Sequence, residues 1–181
     1  LPYPVAVCIA SVDGHDRGPA PGGIVLDLEV VVAGVRVGVE EEVQGGCLAE
    51  CGIRFTVLAP SQARRVRPLG GRAWKDVSGD RIDPSRAYEA RLPSGRTIAL
   101  FFYDGPISRG VAFEKLLSQG ERFAHRLVGA FSDERTWPQL MNIATDGETY
   151  GHHHQFGDMA LAYALQHIEK QNLATLTNYA E

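Results

Sequence analysis

The sequence predicts an α/β fold built on parallel strands with a β-hairpin insertion, and three observations carry that prediction. Short apolar runs at residues 53–58, 97–103, 140–145 and 174–177 have the length and composition of buried strands. Between the last three runs, apolar side chains recur at helical spacing. The order is therefore strand, helix, strand, helix, strand, and crossovers of helix length let successive strands lie parallel in a sheet or barrel. Two runs, 87–92 and 97–103, flank Pro93-Ser94-Gly95 closely enough to pair as a hairpin.

Taken in order, residues 1–47 resist assignment. The opening Leu1-Pro2-Tyr3-Pro4 lacks an initiator Met and a charged leader, and the apolar run 5–10 is too short for a signal peptide, so the start is expected to be a cut end. Gly, Val and Pro crowd the stretch around Pro19-Ala20-Pro21-Gly22-Gly23, and only one strand, over 24–32, is expected there. From residue 48 the signals sharpen. Residues 47–51 read as a helix end stopped by Gly52, and the strand at 53–58 is closed by Pro60. A basic loop, Arg64-Arg65-Val66-Arg67, precedes Gly70-Gly71. The strand at 97–103 ends at Asp104-Gly105-Pro106, after which Phe113, Leu116, Leu117, Ala124, Leu127 and Phe131 predict one long amphipathic helix. Leu161, Leu165 and Ile168 mark a second helix ending near Asn172, before the last strand. Chemistry in such folds collects where strands end. Three polar corners, Pro60-Ser61-Gln62, Asp104-Gly105 and Asp146-Gly147-Glu148, are thus expected to converge on one mouth.

Composition narrows the class. A chain of 181 residues suits one domain, whereas a complete α/β barrel takes about 250, so only part of a barrel would fit. The 44% hydrophobic and 22% charged shares exclude disordered and fibrous classes. Eighteen basic against 22 acidic residues give a net charge of -4, so no global field draws a polyanion and no nucleic-acid partner is expected. No membrane association is expected either. Cys8, Cys47 and Cys51 are odd in number and fit a reducing cytoplasm. Cys47 and Cys51 lie four apart, yet no second ligand pair follows at zinc spacing, so they read as small thiols and no metal site is assigned.

The densest chemical signal is Thr145-Asp146-Gly147-Glu148-Thr149-Tyr150-Gly151-His152-His153-His154, between a buried strand and a helix. Two carboxylates, an aromatic and three imidazoles in ten residues exceed what a solvent-facing turn requires. A carboxyl group at a strand end, partly desolvated by neighbouring rings, can hold a proton near neutrality and deliver it to a glycosidic oxygen. The competing reading of Asp146 is a turn or helix cap. His152, His153 and His154 with Asp158 offer a third possibility, imidazole and carboxylate ligands for zinc or iron in a metal-dependent hydrolase.

The segment Asp146-Gly147-Glu148-Thr149-Tyr150-Gly151-His152 resembles the fourth sequence region of glycoside hydrolase family 57, an Asp-x-Glu-x-aromatic-Gly-His pattern whose first Asp is the general acid/base. The segments 48–60, 62–68 and 99–109 resemble an α-amylase/α-mannosidase-like subgroup bearing an uncharacterised C-terminal domain. The resemblance covers roughly residues 48–181 and implies that they form part of a catalytic (β/α)7 barrel. It further implies a retaining double displacement, an α-glucan or related α-linked oligosaccharide as substrate, and no required cofactor. By position it makes Asp146 the acid/base, with Glu148, Tyr150 and His152 as substrate-binding neighbours and Asp104 and Arg109 as sugar contacts. The plainer roles of the last two are a helix cap and a surface charge.

The departures bear on activity. The family's nucleophilic Glu stands in a Trp-Leu-Pro-Glu-like stretch, but residues 33–39 here contain no carboxylate. Glu40, Glu41 and Glu42 follow as an acidic run of the kind that forms a solvated helix start. The family's early His-x-His and Gln-Pro-Pro segment is absent too. The chain alone is therefore expected to be inactive, and a frame change upstream of Cys47 is expected in the coding sequence. A different class of function, a non-catalytic carbohydrate-binding relic, would use the aromatic faces of Trp74, Trp137 and Tyr150.

Overall fold

The computed structural model describes residues 5–9, 24–28, 51–91 and 95–180. Its strands are β1 (Val5–Ile9), β2 (Ile24–Leu28), β3 (Phe55–Leu58), β4 (Ala63–Pro68), β5 (Lys75–Asp76), β6 (Tyr88–Arg91), β7 (Thr97–Phe102), β8 (Gln139–Ile143) and β9 (Thr175–Thr177). Three α-helices, α1 (Gly105–Phe113), α2 (Gly120–Val128) and α3 (Gly157–Lys170), follow β7 and β8, and short 3-10 turns occupy Pro60–Gln62, Leu116–Ser118 and Gly147–Tyr150. The fold is mixed α/β, divided into two compact units. One contains residues 1–15 and 103–181, the other residues 16–102.

The first unit carries a parallel sheet in the order β8-β1-β9. Its register sets Val7 beside Met141 and Leu176, and Cys8 beside Asn142 and Thr177. Because side chains alternate across a sheet, these two rows face opposite ways. The Val7 row joins Ile143 and the helices in one apolar core, with Ile107 and Val111 from α1, Phe123, Ala124 and Leu127 from α2, and Ala160, Ala164 and Ile168 from α3. On α3 the buried residues Gly157, Ala160, Ala164 and Ile168 run along one face at helical spacing, and the first three are small, so neighbouring elements approach closely. At the facing end of α2, a Cβ on Gly120 would stand 2.7 Å from the Tyr163 ring, closer than any carbon pair tolerates.

The second unit is a six-stranded mixed sheet in the order β3-β7-β6-β2-β4-β5. The expected hairpin is present: β6 and β7 run antiparallel, with Tyr88 opposite Leu100 and Arg91 opposite Thr97. The turn residues Pro93 and Ser94 lie outside the described residues, as do residues 29–50 with the proposed helix end and Glu40, Glu41 and Glu42. Ala63, Val77, Ile82, Tyr88, Ala90, Ile98, Leu100 and Phe102 form this unit's core.

Several expectations are corrected. The strands read as one parallel series are shared between two sheets, β3 and β7 in one, β8 and β9 in the other, because periodicity locates a strand without naming its partner. The run Val5–Ile9, where no strand is expected, is the central strand of the three-stranded sheet. The strand expected over 24–32 is described over Ile24–Leu28. The basic loop is strand β4, paired on both sides by β2 and β5. The single long helix after Asp104 is two helices: Lys115 adopts a left-handed conformation with φ 56°, a 3-10 turn follows, and α2 starts at Gly120. Leu116 and Leu117 stay buried across that break, so the apolar period continues where the helix does not. Of the three polar corners, Pro60-Ser61-Gln62 belongs to the second unit and the other two to the first.

Candidate active site

Strand β8 ends at Ile143 and leads through Ala144-Thr145 into the 3-10 turn Gly147–Tyr150. Three contacts hold this exit. The Ala144 amide donates to Ser108 Oγ of α1 at 3.2 Å, and Ser108 is itself buried. Thr145 Oγ1 donates to the Tyr150 hydroxyl at 3.1 Å, bracketing the four residues between them. His154 Nε2 lies 2.9 Å from the Ala112 carbonyl, which bears no proton, so the ring nitrogen must donate. None of Ser108, Thr145 and His154 had been singled out alone for a role; a buried serine on an apolar helix face is the only trace Ser108 leaves in the sequence.

Asp146 sits at the entry of the turn in an extended conformation, and its carbonyl accepts from the Thr149 amide at 3.0 Å. Its carboxyl group makes no capping hydrogen bond and is exposed. The expected shelter by neighbouring rings is not present. Tyr150 turns its ring toward the core, where burial raises its hydroxyl pKa above the ordinary tyrosine value and the bond from Thr145 partly offsets the rise. His152 is exposed, its ring edge-on to His153 at 5.0 Å. Glu148 is exposed as well; its carbonyl accepts from the amides of both His152 and His153 at 3.0 Å, and its carboxylate lies 3.6 Å from His153 Nε2.

Asp104 and Arg109 take the plainer roles open to them. Asp104 Oδ1 accepts from the Ile107 amide at 2.8 Å and caps α1, while its own amide donates to the Asn142 carbonyl at 2.8 Å and ties the start of α1 to β8. Arg109 Nε meets Glu114 Oε1 at 3.1 Å in an exposed ion pair. The three adjacent histidines diverge, His152 onto His153, His153 toward Glu148 and His154 onto Ala112, and among the described residues no three His, Cys, Asp or Glu side chains group at metal-binding spacing. Of the aromatic faces, Trp74 lies in the second unit, covered by Arg65 and Arg67, while Trp137 and Tyr150 lie half-buried in the first.

Behind the exit, the Cys8 row of the sheet forms a polar cluster. Tyr179 donates through its hydroxyl to Asn142 Oδ1 at 2.9 Å and hydrogen-bonds Cys8. Burial pushes the Cys8 thiol up to about 11, opposed by that bond, and raises the Tyr179 hydroxyl further above its ordinary value. No helix among the described residues is long and apolar enough to cross a membrane.

The sequence profile of glycosyl hydrolase family 57 matches residues 46–181, three quarters of the chain and the whole of the Asp146 segment. The chain belongs to glycosyl hydrolase family 57. Membership makes it a glycoside hydrolase by class, with a carbohydrate as the substrate type. No curated protein and no solved structure matches it. Asp104, Arg109, Asp146, Glu148, Tyr150 and His152 all fall within the part of the chain that the family 57 profile covers.

Proposed function

We propose that this chain is the acid/base portion of a retaining, α-glucan-active site in a (β/α)7 barrel to which residues 48–181 contribute, acting in the cytoplasm. In this reading Asp146 protonates the leaving glycosidic oxygen, and Glu148, Tyr150 and His152 shape the same corner. The observation that supports it is the placement of Asp146: inside the family match, past the carboxyl end of β8, with a carboxyl group that no capping bond occupies. Asp104 and Arg109 would meet the sugar only from positions already engaged by the α1 amides and Glu114.

A retaining mechanism needs a second carboxylate about 5 to 5.5 Å from the first to attack the anomeric carbon. No carboxylate stands in residues 33–39, where the family places it. The chain alone is accordingly expected to hydrolyse α-glucans at background rates. Azide can replace the missing group. With phenyl α-maltoside, azide nitrogen bonds to the anomeric carbon from the β face, the carbon–oxygen bond to phenol breaks, and that oxygen takes the Asp146 proton. The expected product is the β-glycosyl azide, formed about 10²–10⁴-fold more slowly by Asp146→Asn, the range ordinary for a lost general acid. Equal azide-dependent rates in the two chains, or no glycosyl azide from either, would overturn the proposal.

A further inference from the structure

The densest run of positive charge in the sequence belongs to the second unit, whereas the Asp146 turn belongs to the first. Residues 51–75 contain Arg54, Arg64, Arg65, Arg67, Arg72 and Lys75 and no Asp or Glu, in a chain whose net charge is -4. Two of these cations lie over one indole ring, and the sheet register explains why. Strands β4 and β5 run antiparallel with Arg65 opposite Asp76 and Val66 opposite Lys75. Trp74 immediately precedes β5 at this end of the ribbon. Side chains directly opposite and on the diagonal of such a pair are within reach of each other. The Arg67 guanidinium accordingly lies 4.6 Å from the Trp74 ring centre and that of Arg65 4.9 Å from it.

Asp76, opposite Arg65 in the β4–β5 register, is engaged elsewhere. The Asp76 carboxylate is held by Ser78, which draws its pKa down to about 2 with further help from Arg81. Among the described residues the Arg67 guanidinium lies on the indole, and its Nε is buried with no hydrogen-bond acceptor. Stacking fixes the plane of a guanidinium without using its N–H donors, which stay in that plane and suit the two oxygens of a carboxylate or phosphate. A guanidinium that is oriented but lacks an acceptor is the half of an oxyanion contact that a protein can build in advance.

We propose that the β4–β5 ribbon binds the oxyanion of a charged sugar, a phosphate or a carboxylate, through the Arg67 guanidinium, with Trp74 and Arg65 completing the site. A sugar is the favoured carrier because the chain belongs to a carbohydrate-acting family and its overall negative charge opposes nucleic acid and anionic membranes. The inference lies in the second unit and does not depend on the role of Asp146.

Titration calorimetry on the full chain tests it, with glucose 6-phosphate, glucuronate, glucose and inorganic phosphate as separate probes. Saturable binding is expected with at least one charged sugar, and which one binds identifies the oxyanion; glucose and inorganic phosphate should bind at least tenfold more weakly. Arg67→Gln should lower the charged sugar's affinity at least tenfold, with Arg67→Lys intermediate because it keeps the charge and loses the planar fork. Arg72→Gln, at an exposed position on the following turn, should change affinity less than twofold. Circular dichroism checks that the variants are folded, and should the Gln variant fail that check, the Lys variant carries the comparison. Binding of no charged sugar, glucose or inorganic phosphate binding equally well, full affinity in Arg67→Lys together with a folded Arg67→Gln, or equal losses in Arg67→Gln and Arg72→Gln would each overturn the proposal.

Discussion

Asp104 and Asp146 are the same residue type at the same kind of place, a step from strand into helical turn, and the structure uses them differently. Asp104 accepts from the Ile107 amide; Asp146 accepts no capping bond. Replacing a capping Asp by Ala costs about 1 kcal/mol, whereas an exposed side chain with no bond to lose changes stability within about 0.5 kcal/mol. Urea denaturation of Asp104→Ala and Asp146→Asn should show that contrast. A loss in Asp146→Asn as large as that in Asp104→Ala would make Asp146 a structural residue and remove the support for its catalytic role. Cys8 supplies a pH dependence. Its thiol ionises at its ordinary 9.0 in the unfolded chain and near 11 when buried, so the folded state holds the proton more tightly. The stability this contributes is complete below pH 9 and is lost as pH rises toward 11. Denaturant midpoints between pH 8 and 10.5 should therefore fall less steeply for Cys8→Ala than for the parent chain, and parallel curves would contradict the burial of the thiol. At this scale the sequence revealed the Asp146 cluster by its residue types. It could not reveal which carboxylate would find an amide, because that depends on whether the following turn is α-helical or 3-10.

The hairpin and the strands β3, β7, β8 and β9 were legible because short β-branched and aromatic runs between turn residues have few other ways to hide their side chains, whereas β4 and β5 were not. The break between α1 and α2 was not legible, since it keeps Leu116 and Leu117 buried and leaves the apolar period intact. Where α2 begins, a close approach that no period encodes sets Gly120 against Tyr163. Gly120→Ala places its new carbon 2.7 Å from the ring and 2.8 Å from the Tyr163 Cβ, so the clash cannot be relieved by swinging the far end of a side chain. Such overpacking typically costs about 1–3 kcal/mol. Adding Tyr163→Ala should recover most of the loss, a coupling that a double-mutant cycle measures. Additive losses would show that the two helices are not held by this contact.

At the scale of the whole molecule, the sequence placed six of the nine strands among the described residues and missed how they are shared out. Which strands pair is settled by partners far apart in the chain, and Val5–Ile9 carried no local sign that it would lie between β8 and β9. The family match begins at residue 46, close to where the resemblance ends in the sequence. Reading the coding DNA upstream of Cys47 in the other frames is expected to restore a Trp-Leu-Pro-Glu-like stretch, and its absence from every frame would reject a frame change. Removal of residues 1–9 tests the central strand directly. Amides of Gln139–Ile143 and Thr175–Thr177 should lose protection from hydrogen exchange while those of Thr97–Phe102 keep it, and unchanged protection would show that β1 is dispensable. The seat of β1 also bears on biogenesis. Strand β1 is flanked on one side by a segment more than a hundred residues further along the chain and on the other by one later still, so this sheet cannot close until both have been made. Until Thr175–Thr177 has been made, at least one edge of Val5–Ile9 stays open to other chains, and a nascent polypeptide built this way depends on chaperone shelter for longer than one whose neighbouring strands are neighbours in sequence.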